Sequence, residues 1–126
     1  MGVVSLDHLV LTVADIDATV RFYERLGMRR QVFGGGRIAL RFGDQKLNLH
    51  RAGEEFAPHA RTPLPGSADL CFLVAGSTEE LLSSLAEAGI AVETGPVTRA
   101  GATAALISVY VRDPDGNLVE LSSPAE

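Results

Sequence analysis

The 126-residue sequence has no tryptophan, a single cysteine and a deficit of positive charge. Each shortage excludes something. Cys71 has no second cysteine to pair with, so no disulfide staples the chain to itself, which points to a reducing, cytoplasmic location. No apolar run approaches the ~20 residues of a membrane-spanning helix, and the N-terminus lacks the basic start and apolar stretch of a secretion signal. No membrane partner is therefore expected. Eleven Lys and Arg against sixteen Asp and Glu give a formal net charge of -5, the wrong sign for a chain that chiefly neutralises nucleic-acid phosphates. The expected partner is a small molecule. With aromatic content of only 6%, little is left to line a stacking groove.

What is present suits one soluble domain: 46% hydrophobic and 21% charged residues, enough to bury a core. The sequence states nearly the same pattern twice. In "LDHLVLTV" (6–13), Leu9, Leu11 and Val13 alternate with His8, Val10 and Thr12, as a strand with one apolar face requires. An amphipathic helix is predicted over 14–27, capped by Asp15 or Asp17 and stopped by Gly27, followed by strands near 28–34, 37–42 and 46–51. "FGGGR" (33–37) reads as a hairpin turn, since it lacks the lysine and following helix of a phosphate loop. After a segment containing Pro58, Pro63 and Pro65 the order returns. "SADLCFLV" (67–74) is a strand, Ser77 and Glu80 form a capping box for a helix over 78–88, and strands follow near 90–95, 104–111 and 117–122, with "DPDG" (113–116) as the last turn. The reading is one α+β domain over 1–126. It has two βαβββ modules, about 5–52 and 67–123, joined by a linker of about 53–66, with the sheet faces not covered by helices curling around a shared concavity.

Strand parity selects the candidate site. With Leu47 and Leu49 turned toward the helix, Lys46, Asn48 and His50 occupy the opposite face, as do His8, Asp69 and Glu120. Aligning the two modules pairs His8 with Asp69. It pairs His50 with Glu120, or Asn48 with Glu120 if one turn is two residues longer. Imidazole and carboxylate together are the donor mixture that a divalent cation takes. A carboxylate between Val119 and Leu121 in a buried strand must be paired or coordinated, its bland partner being an arginine such as Arg41 or Arg112. Tyr110 and Ser108 share the inner face of the seventh strand, where a phenol can orient or protonate a bound oxygen. Cys71 has the parity of Asp69 and no basic neighbour, and reads as a small inward hydrophobe.

"DHLVLTVADIDATVRFYERLGM" (7–28) and "VYVRDPDGNLVEL" (109–121) together resemble the vicinal oxygen chelate superfamily of glyoxalase I, bleomycin-resistance proteins and extradiol dioxygenases. "LRFGDQKLNLHRAGEEFAPHA" (40–60) further resembles the glyoxalase domain-containing protein 5 branch. The resemblance implies an eight-stranded cup of paired βαβββ modules, a homodimer, and a divalent metal (Zn, Ni, Mn or Fe) that chelates two adjacent substrate oxygens. It carries the first-strand ligand over to His8 and the last-strand glutamate to Glu120, with His50 or Asp69 as the third ligand. Tyr110 and Glu120 become the catalytic candidates, and Thr12, Asn48, Cys71 and Ser108 the substrate contacts. Two departures stand out: Asp69 occupies the fifth-strand position where most relatives have histidine, and Asn48 the fourth-strand position where glyoxalase I has glutamate. The implied function is a metal-dependent enzyme, lyase-, isomerase- or dioxygenase-like. The other readings are a metal-free binding protein of the bleomycin-resistance type and a dimer with a vestigial site.

Overall fold

The structure, a computed structural model, describes residues 1–125. Strand β1 (His8–Val13) leads into helix α1 (Ile16–Arg25). Asp15 is extended there and its side chain accepts from the Ala18 amide, satisfying one of the donors that a helix start leaves unpaired. Gly27, at φ 96°, turns the chain out of the helix. Strands β2 (Arg29–Phe33), β3 (Arg37–Phe42) and β4 (Gln45–Arg51) then run antiparallel to one another, and β4 closes parallel to β1, giving the order β1-β4-β3-β2. Leu11, Val13, Leu40, Leu47 and Leu49 are buried on one face, with Thr19, Val20 and Tyr23 of α1 buried against the sheet it contacts. Each such side chain contributes about 1.5–3 kcal/mol of burial, so this alternation fixes which face is left for chemistry.

The second module repeats the plan: β5 (Asp69–Leu73), α2 (Thr78–Glu87), β6 (Thr94–Ala100), β7 (Ala105–Arg112) and β8 (Leu118–Pro124), in the order β5-β8-β7-β6. Ser77 and Glu80 form the expected capping box, and Leu85 of α2 joins Val109, Val111, Val119 and Leu121 among the buried apolar residues. The fold is α+β, two βαβββ modules that form compact units over Met1–Ser67 and from Ala68 onward. Among the described residues no helix is long and apolar enough to cross a membrane.

One strand differs from expectation. The sixth begins at Thr94 and not near 90, and runs through Gly95-Pro96. Proline reads as a strand breaker, but β6 is the edge strand of its sheet, where a missing ladder donor costs little, and the register against β7 shifts between Thr94 and Val97. Gly95 is required there: at φ +108, a Cβ would lie 2.5 Å from the Ser108 carbonyl oxygen.

The "DPDGN" turn ties the module together. Asp113 Oδ1 accepts from the Asp115 and Asn117 amides, Asn117 Nδ2 donates to Asp113 Oδ2 at 2.8 Å, and Asn117 Oδ1 accepts from the Ala68 amide at 2.8 Å. Asn117 is 1% exposed, so its loss leaves buried groups unsatisfied. Asn117→Ala is expected to destabilise the chain by about 1–3 kcal/mol in denaturant titration, a loss that serine at this position does not recover because it is too short to bridge both partners.

Candidate functional site

The parallel pairings decide which side chains are neighbours. In the first module His8 lies opposite Lys46, Val10 opposite Asn48 and Thr12 opposite His50. In the second, Asp69 lies opposite Leu118, Cys71 opposite Glu120 and Leu73 opposite Ser122. The two registers match position for position, which makes Asn48 the equivalent of Glu120, and His50 the equivalent of Ser122. Each module thus sets two donors diagonally, His8 with Asn48 and Asp69 with Glu120, two residues apart along the strands or about 7 Å. His8 and His50 are four residues apart, about 13 Å, and do not stand as a ligand pair.

His8 Nδ1 is 2.7 Å from Asp7 Oδ2. The imidazole bond holds the Asp7 carboxyl below the usual carboxylate range, so the ionised oxygen accepts and Nδ1 carries the proton. Nε2 is the ring nitrogen not bonded to Asp7, the arrangement in which a carboxylate orients a metal-binding histidine. Asn48 Oδ1 is buried without a hydrogen-bond partner. His50 is 7% exposed; its ring meets Phe56 edge-on at 5.5 Å, and its Nδ1 also lacks a partner. Desolvation first, and the Arg37 charge second, push its pKa below the usual imidazole value.

In the second module Glu120 takes neither Arg41 nor Arg112 as an ion partner. Arg112 instead forms a bidentate pair with Glu93, both bonds at 3.0 Å. Glu120 Oε2 accepts from Ser108 Oγ at 2.6 Å, Ser122 Oγ lies 3.3 Å from the same oxygen, and the two hydroxyls are 2.6 Å from each other. Cys71 Sγ lies 3.4 Å from Ser122 Oγ. Burial pushes the Cys71 thiol up, so it stays protonated and donates, giving a one-way chain from Cys71 through Ser122 and Ser108 to the carboxylate. Cys71 is exposed, on the same face as Asp69. Tyr110, opposite Glu120 on β7, has its hydroxyl oxygen bonded by Arg99 Nε at 3.0 Å.

Sequence reasoning missed Asp7, Ser122 and Arg99, whose roles depend on cross-strand contact; only Asp7, adjacent to His8, carried a local signal. Among the described residues no group of three or more His, Cys, Asp or Glu is gathered to hold a metal ion. A cavity of about 550 Å³ opens elsewhere, beside Ser77 and Thr78 at the start of α2, and is bordered by Ile107 and Ser123. Those two have the parity opposite to Ser108 and Ser122, which puts the cavity on the helix side of the sheet.

Comparison with known proteins agrees with this geometry. The profile of the Glyoxalase/Bleomycin resistance protein/Dioxygenase superfamily matches residues 5–121. Glyoxalase domain-containing protein RDO1 of Mycosarcoma maydis is 55% identical over 98% of this chain and 70% of its own length. Virulence protein STM3117 of Salmonella typhimurium is 52% identical over 93% of this chain and 82% of its own. Its crystal structure superposes with a TM-score of 0.97, covering 99% of this chain and 100% of that one at 50% identity. An integron cassette protein from V. Cholerae, VCH_CASS1, gives a TM-score of 0.96 at 51% identity, covering 99% of this chain and 98% of that one.

The lowered pKa of His50 makes stability depend on pH. Between its folded pKa and the unfolded value of 6.5, the unfolded chain binds the extra proton, so stability falls as pH drops below 6.5 and levels off below the folded pKa. Asp7 and Glu93, both held low, act in a more acidic window, below 3.8 and 4.5 respectively. His50→Gln is expected to flatten the loss between pH 6.5 and 5, measured by urea midpoints at each pH. An unchanged slope in that variant would assign the acid sensitivity elsewhere.

Proposed function

The chain belongs to the glyoxalase/bleomycin resistance protein/dioxygenase superfamily, and on that premise we propose that it is a metal-dependent enzyme acting on a small molecule that bears two adjacent oxygens. The proposed ligands are His8, Asp69 and Glu120, with Asn48 facing the substrate. His50 is set aside as a ligand because the β1–β4 register separates it from His8 by four residues. The observation that carries the reading is the Asp7–His8 hydrogen bond at 2.7 Å, which engages Nδ1 and leaves Nε2 as the ring nitrogen that would meet a metal. One imidazole with two carboxylates suits a divalent ion that keeps open positions. When bound, the ion supplies Lewis acidity to the substrate oxygens.

The remaining work falls to the chain itself. Ser108 donates to Glu120 Oε2 and is itself backed by Ser122, which holds the carboxylate in one orientation. Tyr110 is prepared as a proton donor: a guanidinium can only donate, so the phenolic oxygen accepts from Arg99 Nε, and its own proton is directed away to another acceptor such as a substrate oxygen. Thr12 and Asn48 on β4 and its neighbour β1 provide an uncharged hydroxyl and amide for substrate contact.

Protein purified without chelator or affinity tag is expected to carry close to one divalent ion per chain by elemental analysis. His8→Ala and Glu120→Ala should both lose it, and Ser108→Ala should weaken metal affinity roughly ten- to a hundredfold while leaving the ligands in place. Metal-free protein with unaltered stability in both alanine variants contradicts the proposal and favours a binding protein without metal.

A further inference from the structure

The uncovered face of the first module gathers the positive charge of an otherwise acidic chain. Arg29 lies opposite Arg41, Arg41 opposite Lys46, and Lys46 opposite His8, a row of basic side chains running across all four strands. Lys46 is the only lysine in the sequence. Arg37, opposite Phe33 and of the same parity, adds a further charge two rows along, beside His50. No Asp or Glu occupies this face of any of the four strands. Like charges directly opposite one another on neighbouring strands destabilise a sheet, so packing gives no reason for the row.

The neighbours of these cations hold them without neutralising them. Arg41 Nη1 donates to the neutral Gln31 Oε1 at 3.2 Å. Lys46 Nζ lies over the Phe33 ring at 3.8 Å, and the Arg37 guanidinium lies over Phe56 at 4.0 Å. Among the described residues no carboxylate is salt-bridged to these three cations: Asp7, whose charge is felt by Lys46 and Arg41, is hydrogen-bonded by His8, and Glu55 is bonded by the Gly53 amide. Between the two basic rows stands Asn48, and at the end of the second stands His50, 7% exposed with an unpartnered Nδ1. A buried polar atom left unpaired beside oriented cations is what a vacant site for a polar ligand leaves behind.

We propose that this face is an anion subsite, which takes the carboxylate or phosphoryl group of a small-molecule substrate. Arg37, Arg41 and Lys46 supply the charge, and His50 adds a neutral imidazole for a hydrogen bond. The inference rests on the reading of this face as the substrate side, yet needs no metal for its test. Aromatic rings hold Lys46 and Arg37, and Gln31 holds Arg41, so little side-chain freedom is lost when the anion arrives. The second module differs: its equivalent face presents Asp69, Glu120 and hydroxyls, and its two arginines are engaged, Arg99 by Tyr110 and Arg112 by Glu93.

The test is calorimetric titration of the full chain with inorganic phosphate and, in parallel, malonate, at constant ionic strength set with sodium chloride. The expected result is saturable binding with one site per chain, weakened roughly tenfold in Arg41→Gln and in Lys46→Gln, and unchanged in Arg61→Gln, which removes an exposed cation outside the strands. The tighter of the two probes names the group. Circular dichroism of each variant separates lost binding from lost folding, and Arg37→Lys, which keeps the charge, should retain most of the affinity. His8→Ala must keep phosphate binding even as it loses metal, so failure of the metal reading and failure of this one are told apart. Heat signals no larger than those of added chloride, or equal losses in Arg61→Gln, overturn the proposal.

Discussion

The structure depends on the register of two parallel strand pairs, β1 with β4 and β5 with β8. Side chains alternate with a period of two, so one register places Leu47 and Leu49 in the core together with Leu11, and Val119 with Leu121. A slip of one residue would bury His8, Asn48 and Glu120 and expose the leucines. The burial energy of the apolar set therefore holds the polar set in place, and the polar set has no need to stabilise the fold itself.

On that duplicated frame the two open faces have diverged in charge. The second module presents a carboxylate whose orientation is fixed by a chain of hydroxyls, Ser122 to Ser108 to Glu120. Such a chain polarises in one direction, toward its final acceptor. The first module presents cations propped on aromatic rings and an imidazole kept out of water.

Much of this was legible in the sequence because it is periodic. The alternation at 6–13 and 46–51, the Ser77–Glu80 box and the glycine stops mark elements that the structure contains with boundaries shifted by a residue or two. The repeat paired His8 with Asp69, yet left Asn48 and His50 both open for the position of Glu120. Choosing between them needs the length of the β3–β4 turn, which the pairing of Phe42 with Gln45 supplies. The sixth strand runs on through Gly95 and Pro96, past the expected end near 95, and its edge position makes the proline tolerable. Contacts between residues distant in sequence, such as Arg99 with Tyr110 and Arg112 with Glu93, leave no periodic trace. The basic row across β1 to β4 was hidden for the same reason: its members are scattered along the chain, and only the register lines them up.

The central claim, that His8 and Glu120 are ligands of one divalent ion, is tested most directly by anomalous diffraction at the zinc edge from crystals grown with zinc. The account predicts a single strong peak with His8 Nε2 and a Glu120 carboxylate oxygen each at about 2.0–2.2 Å. A peak bound by other residues, or none at these two side chains, would contradict it.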